Sequence, residues 1–283
     1  MRKPEIVLLG GPNSGKTHLA AQLYGRILRS NGRLRRQEQQ AIPHDLTLLD
    51  EALGCLEEGR SASHTGSDTW GEITLPTIDE HGGQVLLKWP DYAGEKVEQM
   101  LRLRSISEAW QNRIAQAEGW AIVIRLSHER RVDARPAQPR TSPSTSGSVP
   151  LMSDEYWDAN ARWVEFVQIL MHVAGMSSTS LQRKPRVAIL LSCYDELPES
   201  EESPSAKLGS WLPMFYSFME NNWSPEAWSV WGMSALGQKL DSAHPDESFL
   251  RDGPELHGWV IAPQGGPRDS DLTAPIAWLL DRP

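Results

Sequence analysis

The feature that most constrains this chain is a glycine-rich octapeptide near its N-terminus, Gly-Gly-Pro-Asn-Ser-Gly-Lys-Thr at residues 10–17. An apolar run at residues 6–9 precedes it, and apolar residues at helical spacing follow it from Leu19 to Leu28. The order of strand, tight loop and helix is the context that a phosphate-binding loop of the form Gly-x-x-x-x-Gly-Lys-Thr requires. The sequence therefore predicts that the chain binds a nucleoside triphosphate.

Each residue type in the loop has a chemical reason to be there. Gly10 and Gly15 allow the backbone to curl so that successive N–H groups point at a phosphate. Lys16 supplies a positive charge for the β- and γ-phosphate oxygens, and the Thr17 hydroxyl can ligate Mg²⁺. The other residues predicted to contact the nucleotide here are Pro12, Asn13, Ser14 and His18.

Composition narrows the class of protein. The 283 residues are 39% hydrophobic and 23% charged, which is typical of a globular protein with a substantial core. A net charge of −9 argues against a general nucleic-acid binder. Cys55 and Cys193 follow no disulfide or metal-binding spacing, and neither a signal peptide nor a membrane-spanning stretch is evident. We therefore expect a cytoplasmic protein with no membrane span and no nucleic-acid partner.

The pattern along the chain predicts a three-layer α/β/α fold with a mainly parallel sheet. We expect a single domain over residues 1–283, with a helical insertion at about 31–58 and a disordered Pro/Ser/Arg-rich insertion at 128–150. Strand-like runs at residues 72–75, 85–89, 120–126, 187–191 and 228–233 alternate with helical patterns at 45–58, 96–117, 156–174, 208–219 and 273–280.

A second motif follows the strand predicted at residues 85–89, where the sequence reads Pro-Asp-Tyr-Ala-Gly-Glu over residues 90–95. Asp91 would act on Mg²⁺ from the end of a neighbouring strand, and the N–H of Gly94 would approach the γ-phosphate. These residues resemble the switch II motif of the Ras-like, TRAFAC-class P-loop GTPases. The resemblance implies a Ras-like fold, with Glu95 in the position of the water-orienting glutamine, so the candidate catalytic residues are Lys16, Asn13 and Glu95.

The same resemblance implies a guanine-recognition motif at the end of a later strand. Those GTPases carry Asn/Thr-Lys-x-Asp, and residues 192–195 here read Ser-Cys-Tyr-Asp. Asp195 would accept two hydrogen bonds from guanine and so discriminate against adenine, whereas Cys193 replaces the lysine. Ser234, Ala235 and Leu236 resemble the loop whose backbone N–H contacts the guanine carbonyl.

The motifs together are similar to the bacterial double-GTPase or TRAFAC-clade domains of conflict-system gene clusters. This similarity implies a GTP-binding molecular switch with slow, partner-stimulated hydrolysis in a bacterial signalling or antiviral defence system. GTP or GDP would be the ligand, Mg²⁺ the cofactor, and an effector or activating protein the partner. Thr65 is the expected switch I ligand of Mg²⁺, and Thr69 is the alternative.

Asn13 suggests a second cation. The form Gly-x-Pro-Asn-x-Gly-Lys also occurs in GTPases that bind K⁺ beside the phosphates through the loop asparagine, so K⁺ is a further candidate cofactor. Two other classes remain open. One is a P-loop ATPase or small-molecule kinase, and the other is a nucleotide-binding module without turnover.

Overall fold

The structure is a computed structural model that describes residues 3–29, 32–37, 46–62, 71–91, 95–130, 158–177 and 179–281. Most of the insertion predicted at 128–150 lies outside the described residues, so its disorder stays a prediction. The described part of the helical insertion predicted at about 31–58 contains one helix, at Thr47–Glu57.

The described residues form an eight-stranded sheet in the order β2-β3-β4-β1-β5-β6-β7-β8. The five central strands β4, β1, β5, β6 and β7 run parallel, and β2, β3 and β8 pair antiparallel at the edges. The predicted mainly parallel sheet is confirmed. The strands are β1 Glu5–Gly10, β2 Arg35–Arg36, β3 Gly71–Ile78, β4 Gln84–Asp91, β5 Gly119–Ile124, β6 Arg186–Leu191, β7 Trp228–Ser234 and β8 Trp259–Ile261.

Helices cover both faces of the sheet. The helices are α1 Lys16–Leu28, α2 Thr47–Glu57, α3 Glu95–Leu103, α4 Glu108–Gln116, α5 Ala159–Val173, α6 Pro204–Trp211, α7 Pro213–Asn222, α8 Glu247–Asp252 and α9 Ala274–Leu280. Side chains of α1, α2, α8 and α9 share one core with alternate residues of the central strands, such as Leu8 and Val123. Side chains of α3 to α7 share the other core with the intervening residues, such as Leu9 and Ile122. Because successive strand residues face opposite sides and both sides are covered, β1, β5 and β6 are apolar after their first residue. The predicted three layers are confirmed.

Two helices predicted as continuous are interrupted. The pattern at 96–117 forms α3 and α4, which are separated around Arg104, a residue with a positive φ of 48°. The pattern through Leu208 and Met219 forms α6 and α7, and Pro213 begins the second helix. Proline lacks the N–H that a helix interior needs, so the chain restarts its helix there.

The C-terminal part of the chain packs behind α1. Arg26, in the last turn of α1, is only 2% exposed, and its guanidinium donates to the carbonyl oxygens of Ser270 at 2.7 Å and His257 at 2.6 Å. Gln22, one turn earlier, donates to the carbonyl oxygen of Pro254 at 2.8 Å. The helix that begins at the glycine-rich loop is therefore fixed from behind by residues more than 200 positions away. Within the described ranges, no helix has both the length and the apolar character needed to cross a membrane.

Candidate nucleotide-binding site

The sequence motifs meet at one edge of the sheet, where the parallel strands have their carboxyl ends. Val7 of β1 pairs with Lys88 of β4, and each strand continues for three residues beyond that pair, to Gly10 and to Asp91. On the other side, Gly10 pairs with Val123 of β5, and β6 and β7 continue in parallel register. The glycine-rich loop, Asp91 and the ends of β6 and β7 therefore follow neighbouring strands, which is where open α/β sheets bind ligands.

The backbone of the loop has the shape that phosphate binding requires. Asn13 and Gly15 have positive φ values of 55° and 78°, and α1 begins at the next residue, Lys16. At Gly10 a Cβ atom would lie 2.8 Å from the carbonyl oxygen of Val123, so any side chain would displace the loop from β5. The curled loop ends at a helix N-terminus, and both features favour an anion.

Lys16 is poised over the loop. Its ammonium group donates to the carbonyl oxygen of Gly11 at 2.5 Å and to the hydroxyl oxygen of Ser14 at 3.1 Å. Burial lowers the pKa of Lys16 from 10.5 to about 8, because the site holds the ammonium away from water. A phosphate beside Lys16 would stabilise the ammonium and so raise its pKa again. Lys16 is therefore a cation placed where it benefits from an anionic ligand.

His18, in the first turn of α1, contacts the chain before the predicted switch I loop. Its Nε2 accepts a hydrogen bond from the backbone N–H of Ala62 at 3.1 Å. The same stretch is held from the other side, because the N–H of Ser61 donates to the carbonyl oxygen of Asp241, and residues 59 and 246 also bond through their backbones. The sequence placed His18 among the nucleotide contacts, and the structure gives it this additional role.

The end of β6 contacts the phosphate loop directly. The hydroxyl of Ser192 donates to the carbonyl oxygen of Ser14 at 2.7 Å, and a Cβ atom at Gly15 would lie 3.6 Å from Sγ of Cys193. Cys193 itself has a positive φ of 48°. Burial raises the pKa of the Cys193 thiol to about 11, so the group at the lysine position of the motif is neutral at physiological pH.

Asp195 lies on the short 3-10 turn Tyr194–Glu196 directly after β6, and its side chain is exposed. At the end of β7 the hydroxyl oxygen of Ser234 accepts a hydrogen bond from the N–H of Gly237 at 2.8 Å, which curls residues 235 and 236 around it. Because β6 and β7 are adjacent and parallel, these two strand ends lie side by side.

Arg125, the first residue after β5, was not identified from the sequence. Its guanidinium donates to the carbonyl oxygen of Asn13 at 3.2 Å and makes a two-pronged ion pair with Glu196, at 2.9 Å from Nε and 2.5 Å from NH2. Ser127 also donates to Glu196 at 2.6 Å. Burial opposes charge on Glu196, but the hydrogen bonds from Arg125 and Ser127 outweigh it and hold the pKa of that carboxyl below its ordinary value.

Four predicted site residues lie outside the described residues or are described by their backbone alone. Thr65 and Gly94 lie outside the described residues. Asp91 ends β4 and Glu95 begins α3, but the description of these two residues stops at their backbone. Their roles therefore stay predictions that rest on strand order.

The predicted Mg²⁺ ligands suit that ion by type. Thr17 lies in the first turn of α1, half exposed, and Asp91 ends the strand next to β1. A hydroxyl and a carboxylate are hard oxygen donors, which Mg²⁺ prefers, together with water and phosphate oxygens.

Comparison with solved structures gives matches of low sequence identity. The chain covers 83% of its own length on the bacterial selenocysteine-specific elongation factor EF-Sec, at 12% identity and a TM-score of 0.34, but spans only 26% of that protein. It matches the Arl6 small GTPase of Trypanosoma brucei at 11% identity and a TM-score of 0.41, covering 90% of this chain and 99% of that one. The SRb-GTP/SRX signal recognition particle receptor complex of Chaetomium thermophilum gives 14% identity, a TM-score of 0.40 and coverages of 90% and 99%.

The family of this chain follows from comparison with family models. Curated proteins gave no significant match. The model of the Double-GTPase 1 family matches residues 7–279, a span that contains the glycine-rich loop and both later strand-end motifs. The chain therefore belongs to the Double-GTPase 1 family of P-loop GTPases.

Proposed function

We propose that this protein is a GTP-binding molecular switch that hydrolyses GTP slowly in the presence of Mg²⁺. One observation carries the proposal. The loop that would hold the phosphates is bonded to the loop that carries Asp195, through Ser192 and Ser14 at 2.7 Å. A single ligand with a phosphate chain at one end and a purine at the other can therefore contact both loops.

The residues would divide the work by charge and position. The N–H groups of the glycine-rich loop and the ammonium of Lys16 would stabilise negative charge on the phosphates as the γ-phosphoryl group leaves. Thr17 and Asp91 would hold Mg²⁺, which would neutralise negative charge on the phosphates when bound. By the resemblance to Ras-like GTPases, Glu95 would take the place of the residue that orients the attacking water. Thr65 and Gly94 would contact the γ-phosphate, so that its loss changes the protein's surface for a partner.

The base is the first point to test. Asp195 would accept hydrogen bonds from the guanine N1–H and amino group, and Asp195→Asn would replace one acceptor by a donor. Charge-assisted hydrogen bonds contribute about 1.5–3 kcal/mol each, so we expect at least a roughly 100-fold loss of GTP affinity. Xanthine carries a carbonyl in place of the amino group, so affinity for xanthosine triphosphate should rise.

The measurement is equilibrium binding of GTP, GDP, ATP and xanthosine triphosphate to the unmodified protein and to Asp195→Asn. A preference of the unmodified protein for ATP would contradict the proposal and favour the ATPase or kinase class.

Hydrolysis is the second point to test. P-loop GTPases that lack supplied catalytic groups turn over at roughly 10⁻⁴ to 10⁻³ per second, and we expect a rate of that order here. Phosphate release in single-turnover assays measures it. Tight GTP binding with no hydrolysis, even with a partner protein present, would reduce the proposal to a nucleotide-binding module.

K⁺ is proposed as a second cation through Asn13, which is exposed in the loop. A cation beside the phosphates would offset transition-state charge in place of an arginine. We expect hydrolysis to be roughly tenfold faster in KCl than in NaCl at equal ionic strength, and equal rates would remove K⁺ from the mechanism.

A further inference from the structure

We propose that Arg125 supplies the cation that the base-recognition motif lacks at Cys193, and that it fixes the phosphate loop against the base loop for a guanine nucleotide. The inference rests on the proposed function, because it concerns the same site. It assigns a positioning residue that lies in none of the sequence motifs.

The first step is the missing charge. The family motif carries a lysine where this chain has Cys193, and a thiol with a pKa of about 11 is neutral. Sγ of Cys193 lies 3.6 Å from the position that a Cβ atom on Gly15 of the phosphate loop would occupy. The base loop therefore brings an uncharged group close to the phosphate loop at this position.

The second step is the position of Arg125. It reaches the same junction from β5, the strand between β1 and β6. One arm of its guanidinium donates to Asn13 of the phosphate loop, and the others bind Glu196, the residue after Asp195. A single side chain thus joins both loops that the nucleotide must contact, from a sequence distance of 112 residues on one side and 71 on the other.

The third step is why an arginine can do this. The guanidinium is a rigid fork that binds a carboxylate with two parallel hydrogen bonds and keeps further N–H groups for another acceptor. Asn13 has a left-handed backbone, which is unfavourable for a residue with a side chain, so its carbonyl benefits from a fixed donor. The Arg125 side chain is 22% exposed and that of Glu196 26%, which makes the pair more sheltered than an ordinary surface ion pair.

The direct test replaces Arg125 by glutamine and measures binding and release of a fluorescent GDP and GTP. We expect affinity to fall about 10- to 100-fold, chiefly through faster release, because both loops lose their common anchor. Arg125→Lys should lose less, since an ammonium can still reach one of the two loops.

The decisive test is rescue. Cys193→Lys in the Arg125→Gln background returns a cation to the motif's own position and should recover most of the lost affinity. A purely structural arginine would not be replaced from another strand. An affinity loss that Cys193→Lys leaves unchanged would therefore overturn the proposal, and so would an Arg125→Gln protein that binds as tightly as the unmodified one.

Two further variants keep the result interpretable. Arg162→Gln removes an equally close arginine–glutamate pair, with Glu129, that lies outside the nucleotide site, and should leave nucleotide affinity unchanged. If Arg125→Gln does not fold, Glu196→Gln tests the same anchor, and unchanged nucleotide release in that variant would also contradict the proposal. If the unmodified protein fails to bind GTP, the proposed function itself fails. If it binds GTP and Arg125→Gln does too, with equal affinity, only the inference fails.

Discussion

Arg26 and Arg125 hold two different regions of the molecule together, and their surroundings differ. Arg26 is almost fully buried behind α1 and donates to two backbone carbonyl oxygens of the C-terminal part. Arg125 lies at the nucleotide edge, is partly exposed, and binds a carboxylate together with one loop carbonyl.

The difference separates stability from ligand binding. Behind α1, charge is buried against neutral acceptors, and burial lowers the pKa of Arg26. The hydrogen bonds of Arg26 belong to the fold itself and are needed with or without a ligand. At the nucleotide edge, Arg125 is paired with the carboxylate of Glu196, whereas burial disfavours the charged form of Lys16. The phosphates of the proposed nucleotide would bring the negative charge that stabilises Lys16.

Lys16→Ala should have the largest effect, a loss of nucleotide affinity without a loss of stability. Removing the ammonium would delete the proposed contacts to two phosphates, so nucleotide affinity should fall at least roughly 100-fold. Because burial disfavours the charged form of Lys16, the nucleotide-free variant should be no less stable than the unmodified protein. Nucleotide titration and thermal unfolding of the same samples measure both effects. A large drop in the melting temperature would mean that this edge also supports the fold.

Arg26→Met should have the opposite profile. The change removes a buried guanidinium and its hydrogen bonds to two carbonyl oxygens, so the free energy of unfolding should fall by about 3 kcal/mol. Nucleotide affinity of the folded protein should stay within about twofold of the original. Denaturant unfolding gives the first quantity and titration the second. Lost affinity with unchanged stability would contradict the distinction between the two regions.

The smallest expected effect is a pH dependence of binding. Lys16 has a pKa of about 8 in the nucleotide-free protein, and a bound phosphate raises it. The favourable interaction is therefore complete below pH 8 and is lost as the pH rises towards the pKa of the bound state. We expect GTP affinity to be about tenfold lower at pH 9 than at pH 7. Lys16→Ala, measured in parallel, should lack this slope, and an equal slope in both proteins would assign it to another group.

The fold could be predicted largely from alternating patterns. β1, β5 and β6 are apolar after their first residue and lie between helical stretches, which is the pattern of a parallel sheet covered on both faces. β2 and β8 were not predicted, because two and three residues are too few to show a period. Pro213 was a readable stop signal inside an otherwise helical pattern, and it does divide α6 from α7.

The site could be predicted where it lies in contiguous motifs. Gly15 has a positive φ and α1 begins at Lys16, as the curled loop of the octapeptide requires, whereas the phosphate and cation contacts of Asn13 and Lys16 stay predictions. Arg26 lies in the last turn of a helix that the sequence predicts, but its acceptors more than 200 residues away could not be read from the chain. The sequence around Arg125 gave no signal either. Cys193, which is neutral at the lysine position of the motif, did indicate that another residue would have to supply the positive charge.

The backbone ties between residues 59–61 and residues 241–246 have a consequence for how the polypeptide can be shortened. Without β8, the sheet would remain mainly parallel. All the recognisable motifs end by residue 236. Yet the final 40 or so residues pack behind α1, and their backbone hydrogen-bonds to the stretch that leads into the predicted switch I loop. A fragment that stops after β7 would retain every signature of nucleotide recognition and lose the support that keeps those signatures in place.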